Sequence, residues 1–168
     1  MTKTTYIVTA LLVLFIFVLS TVNYQSEDRV IKEAGEAAQT IFSNEDIPEE
    51  NFQGSYFSFY LPKDMEAAEA DANNAVLQHG DQMFIVFYNP LETKKSDLNF
   101  NAAQNKEAIL LESFKDEEKF GYIRILPEKK DYELQVGVGG VKVTTYTEKS
   151  EIIEDAERIM KIALSIVK

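Results

Sequence analysis

The sequence predicts an α+β protein: an N-terminal transmembrane helix, then an antiparallel sheet of about six to seven strands with two amphipathic helices, 26–43 and 151–167, packed on it. Three observations carry this expectation. Residues 6–22 are an apolar run without a charge. Two later stretches repeat apolar residues at the 3.6-residue period of a helix, and the segments between them alternate or run apolar over strand lengths. The connections between those strand segments are mostly too short for parallel crossovers, so the strands are expected to be antiparallel.

The apolar run comes first in the chain. Twelve of its positions are Leu, Ile, Val or Phe, from Ile7 to Val22, and together they favour insertion by roughly 4 to 7 kcal/mol. The run is short, about 25 Å as a helix against a hydrocarbon core of about 30 Å. Thr4, Thr5 and Asn23 are needed to complete a span, with Tyr6 and Tyr24 at its two interfaces. A cleaved signal peptide is the other reading, although this apolar core is long for one and lacks an A-x-A site. The expected organisation is a short tail (1–5), a transmembrane anchor (6–22) and a single soluble α+β domain (23–168). The anchor places that domain at a cell membrane, single-pass and on the extracytoplasmic side.

Charge narrows the partners. Sixteen of the 17 basic and all 28 acidic residues follow position 22, so the domain carries −12. Nucleic-acid binding rests on phosphate neutralisation and is not expected; nor is a surface that lies flat on anionic lipid. The chain has no cysteine and no N-x-S/T sequence, which fits a bacterial envelope, and the fold must rest on packing rather than disulfides.

Within the domain, Val30, Ile31, Ala34, Ala37, Ala38, Ile41 and Phe42 form one helical face, with Ser26 placed to cap it and Glu27 and Asp28 facing the positive end of its dipole. Residues 44–53 read as a loop and 55–61 as a strand ended by Pro62. Residues 63–74 are ambiguous, since their alanines favour helix while Asn73 and Asn74 favour a turn. A hairpin follows, 75–78 with 83–89 across His79-Gly80-Asp81-Gln82. Its second strand is apolar on both faces, the pattern of a central strand covered above and below. Residues 91–106 form a long polar loop with a helical turn near Phe100 to Gln104. Strands 107–115 and 120–126 precede the clearest hairpin, 132–138 with 141–147, where Gly139-Gly140 suits a type I′ turn. The closing helix, Glu151 to Val167, carries the stripe Ile152, Ile153, Ala156, Ile159, Met160, Ala163 and Val167, broadened by Leu164 and Ile166, with Ser150 placed to cap it.

The succession Phe57-Ser-Phe-Tyr-Leu-Pro-Lys-Asp64, Asn74-Ala-Val-Leu-Gln-His-Gly80, Met83-Phe-Ile-Val-Phe-Tyr88 and a meander ending Val138-Gly-Gly-Val-Lys-Val143 before a closing helix resembles the Mog1/PsbP-type α/β domain over residues 52–168. Members of that fold act mainly as binding and assembly modules, so the resemblance implies partner binding without naming a partner. No functional residue is carried over from it.

No catalytic constellation stands out, and no cofactor or metal site is expected. His79 is the single histidine, at a hairpin tip, and reads as a solvated turn residue. Glu66, Glu69, Asp71 and Asn73 could gather oxygens as calcium requires, but they lack the EF-hand spacing and read as an acidic loop. Gly137-Val-Gly-Gly140 runs on into a strand where a dinucleotide motif would start a helix. Tyr56, Tyr60 and Tyr88 are the candidate interaction surface, since an aromatic ring with a polar tip suits a half-wet contact. The function expected is a membrane-anchored extracytoplasmic binding or assembly module, held to the membrane by residues 6–22, with an envelope protein as partner. A pilin-like subunit and a secreted hydrolase using the 91–106 loop are the alternatives.

Overall fold

The computed structural model describes residues 3–22, 26–44, 46–54 and 56–167. Its first element is a helix, α1 (Lys3–Val22), but among the described residues no helix is long and apolar enough to cross a membrane. That finding overturns the expected transmembrane anchor. The apolar run 6–22 is only 17 residues, short of the about 20 that a spanning helix ordinarily uses. Asn23 and Tyr24, expected to lengthen it, lie outside the described residues. From Tyr6 to Ile16 every large apolar side chain of α1 is more than half exposed, and none of these described side chains belongs to the core cluster of the domain.

The domain is α+β, with seven antiparallel strands in one sheet. Helix α2 (Glu27–Phe42) leads to a small two-stranded hairpin, β1 (Phe52–Gln53) with β2 (Ser58–Phe59). The main sheet then begins with β3 (Glu66–Ala70), β4 (Asn74–His79) and β5 (Gln82–Tyr88). A short helix α3 (Leu98–Ala102) sits in the following connection. The sheet continues with β6 (Leu110–Lys115), β7 (Phe120–Glu128), β8 (Asp131–Val138) and β9 (Val141–Thr147), and α4 (Ile152–Ile166) closes the chain. The strand order is β3-β4-β5-β9-β8-β7-β6. The β8–β9 hairpin thus returns to the middle of the sheet and pairs β9 with β5, Val86 opposite Val143.

Alternation decides which face each strand offers. Ala75 and Leu77 of β4, Phe84 and Val86 of β5, Val143 of β9, Leu134 and Val136 of β8 and Ile123 and Ile125 of β7 are all fully buried. They share the face on which α2 and α4 lie, and fully burying side chains of this size contributes about 1.5–3 kcal/mol each. Of the stripe predicted for α2, Val30, Ile31, Ala34, Ala38 and Phe42 are buried together with Gly35, while Ala37 and Ile41 are half-buried at its margin. At Gly35 a Cβ would stand 3.1 Å from Leu110 and Glu112 of β6, so the small residue lets the helix lie close to the sheet. Phe42, at the end of α2, fills the space over Gly121, where a Cβ would come within 2.7 Å of its ring, and it meets Phe114 with ring centroids 5.7 Å apart.

Helix α4 is buried more completely than its predicted stripe, since Ile162 and the polar Asp155 and Ser165 are also inside. Each polar intrusion is satisfied. The Ser165 hydroxyl donates to the Ile162 carbonyl and accepts from the Tyr60 backbone N–H, both within 2.8 Å, which ties the β1–β2 hairpin to α4. The Asp155 carboxylate accepts from the Thr147 hydroxyl (2.6 Å), the Gln82 side-chain amide (2.7 Å) and Arg158 (2.6 Å). Arg158 reaches on to Asp64 at 3.1 Å and Glu154 at 2.7 Å.

One turn and two helix starts depart from expectation. The Gly139-Gly140 connection is not type I′, because only Gly139 has a positive φ, 52°. Gly140 is needed for space instead: a Cβ there would stand 2.4 Å from the Asn89 carbonyl, whose residue donates its backbone N–H to Gly140. Neither Ser26 nor the start of α4 makes a side-chain cap bond. The helix starts rest on tertiary contacts; the Tyr132 hydroxyl, for example, donates to Glu27 at 2.8 Å.

Two stability outcomes follow from this packing. Asp155→Ala takes the shared acceptor from the Thr147 hydroxyl and the Gln82 amide, while Arg158 keeps Asp64 and Glu154, and should cost about 1–3 kcal/mol, read as a lowered urea midpoint. Deleting residues 1–25 removes none of the described core residues and should leave the thermal midpoint unchanged; a large drop would show that α1 supports the domain.

Candidate functional site

The face of the sheet away from α2 and α4 is closed over one half and open over the other. The covered half lies over β7 and β8. There the connection after β5 is laid down by backbone bonds: Asn89 N–H to Gly140, Phe120 N–H to Lys94 and Ile109 N–H to Ile125. The Asn99 side-chain amide donates to the Gly139 carbonyl at 3.0 Å. Phe100 of α3 stands edge-on to Phe120 and Tyr122, with centroids 5.5 and 5.9 Å away. The 91–106 segment is therefore an ordered cover rather than a free loop.

Beneath this cover lies a polar layer. Tyr122 donates to Gln135 (2.9 Å) and Gln135 to Thr144 (3.1 Å). Arg124 pairs with Glu133 and donates to the Ala103 carbonyl, while its Nε is the one buried side-chain N or O among the described residues without a partner. Gly137 faces the Tyr122 ring, where a Cβ would come within 2.2 Å, so the ring lies flat across β8.

The open half belongs to β4, β5 and β9. Register places Val76, Ile85 and Thr144 in one row across the three strands, next to Gln78 with Met83 and to Asn74, Phe87 and Lys142. Met83 is 61% exposed, Ile85 51% and Tyr146 58%. The expectation that β5 is covered above and below is corrected here: one face is core and the other is bare. Single exposed apolar residues are ordinary, but here Met83, Ile85 and Tyr146 stand together on neighbouring internal strands. Lys142 closes one end of this patch, its Nζ lying 5.4 Å over the Phe87 ring.

The tyrosines singled out in the sequence are elsewhere. Tyr88 is half-buried on the helix-facing side of β5 and packs edge-on against Phe57, with centroids 5.5 Å apart. Tyr60 is half-buried beside α4. Only Tyr56, 71% exposed, is openly displayed. That both faces of β5 are apolar was readable in 83–88, where both alternating sets are apolar, but the exposure of one of them was not. An apolar face that is left open and one that is covered have the same periodicity.

The chemical candidates gain little. His79 ends β4 with its Nε2 3.5 Å from Asp64, the carboxylate that also receives Arg158. Asp71 Oδ1 accepts the backbone N–H groups of Asn73 and Asn74. Those bonds hold its carboxyl below the usual range and close the β3–β4 turn. Among the described residues no group of three metal-ligating side chains is arranged to hold an ion. Compared with known proteins, the chain matches no family model, no curated protein and no solved structure.

Two phenols on the sheet are shifted. Burial, only partly opposed by the Arg124 charge, pushes Tyr122 up. Burial and the Glu27 carboxylate that its hydroxyl faces push Tyr132 up to about 12. Both groups stay protonated in the folded state at a pH where the unfolded chain, with a phenol near about 10, has begun to ionise. Their contribution is therefore complete below about pH 10 and is lost as pH rises towards about 12. Urea midpoints should be level through neutral pH and fall above about 10. Tyr132→Phe should flatten that fall; an unchanged alkaline slope in this variant would contradict the assignment.

Proposed function

We propose that this domain is a binding or assembly module rather than an enzyme, and that it works through the open half of its outer sheet face. The observation that carries the reading is the exposure of Met83 and Ile85 on an internal strand. β5 has neighbours on both sides, so its bare side chains are not an accident of a frayed edge. The surface is rigid because the opposite side chains of the same strands are core. It also costs little order to use, since its side chains already stand in fixed register. The resemblance to Mog1/PsbP-type domains supports the same class of work, as an analogy of fold.

The test is contact mapping with the full chain in its native cells. A photoreactive amino acid at position 85 or 146 should give one shared, discrete protein adduct, which Met83→Asp abolishes while leaving the circular dichroism spectrum intact. A probe at Lys129, in the β7–β8 turn, should give none. Adducts from 129 but not from 85 or 146 would move the working surface off this face and reject the reading.

A further inference from the structure

We propose that the partner meets this face with a cationic amphipathic segment, an apolar or aromatic anchor flanked by Lys or Arg. The inference rests on the open face being a docking surface and assigns the chemistry of what docks there. The patch is not electrically uniform along its length. Where the β4–β5 turn, the start of β8 and the exit of β9 converge, a cleft of about 400 Å³ is lined by Asp81, Asp131, Glu148 and Glu151, with Met83 and Tyr146 among its walls and no basic side chain. Apolar anchor and acidic rim are thus contiguous through the same two residues. At the far end stands Lys142 over Phe87.

An apolar face alone would also suit a second copy of the chain. Charge decides between the two occupants. Stacking two such faces would set eight carboxylates near one another, or at best one lysine from each copy against four, in a chain that already carries −11. Like charges brought together in this way cost free energy and slow encounter, whereas a cationic segment is steered to the acidic end and held there by the apolar anchor. The polarity of the face also orients the guest, with its positive end towards the β4–β5 turn.

The experiment uses the full chain and three short extended peptides: one alternating Leu and Lys, one with Glu in place of Lys, and one with Ser in place of Leu. Binding is followed by fluorescence anisotropy at low and high salt, and self-association by sedimentation. The Leu/Lys peptide should bind and weaken with salt, the Glu peptide should not bind, and the Ser peptide should bind about tenfold more weakly. Glu148→Gln with Glu151→Gln should weaken the first peptide by about tenfold, while the same charge change at Glu117 and Glu118, in the β6–β7 turn, should leave it nearly unaltered. Equal loss from both pairs, no binding by the Leu/Lys peptide, or binding by the Glu peptide would overturn the cationic assignment while leaving the docking face standing. Insensitivity to Met83→Ser and Ile85→Ser would refute the face itself. A dimer abolished by Met83→Asp would give the face to a second copy.

Discussion

Seven antiparallel strands present two faces, and the chain carries helix enough to desolvate one. α2 and α4 are both spent on the same side, where they bury Leu77, Phe84, Val136 and Ile123. That side is a closed hydrophobic core in the usual sense, and its helices owe their stability to the sheet beneath more than to propensity or caps. What remains for the other face is a single connection of about twenty residues between β5 and β6, which reaches as far as β8. The rest of the molecule follows from that shortfall: a polar layer of Tyr122, Gln135 and Arg124 where the cover is thin, and bare Met83, Ile85 and Tyr146 where it ends.

The buried ionic chemistry belongs to the same economy. Asp155 sits at the start of α4 with no solvent exposure, yet its oxygens receive three side-chain donors from β5, β9 and its own helix. A buried carboxylate is tolerable on those terms and intolerable without them. It fixes the first turn of α4 against the ends of β5 and β9, the ends that also carry the acidic margin of the open face. Position and electrostatics at that margin are coupled through Arg158, whose second nitrogen reaches Asp64 and Glu154.

Much of this plan was legible in the sequence, for identifiable reasons. The two amphipathic helices and the β8–β9 hairpin have long, clean periods, and they appear within a residue or two of where periodicity puts them. The strands β1 and β3 were obscure. Phe52–Gln53 is too short to show a pattern, and Glu66–Ala70 has no strand former in it, its extended state being set by pairing with β4. Asp155 could have been noticed, since it falls in phase with Ile152 and Ile159 on an otherwise apolar stripe. The apolar run at the N-terminus was legible as composition and misleading as length. The paired glycines were misleading as well, because one serves a positive φ and the other close approach. Coverage of a strand face depends on elements distant in sequence, so no local pattern in Gln82–Tyr88 could disclose it.

The two outermost strands of the sheet bear on how anything could join it. β3 carries a register break between Ala67 and Glu69, and an irregular strand of this kind is a poor template for adding another. At the opposite margin, β6 displays Glu112, Ser113 and Lys115 to solvent, charged and polar groups that discourage lateral growth. Extension of the hydrogen-bonded ladder is therefore hindered at both margins, and association is diverted from backbone to side chains. A guest on such a domain need not be a strand: it is recognised by what its side chains offer, and its own backbone is free to be helical, extended or irregular.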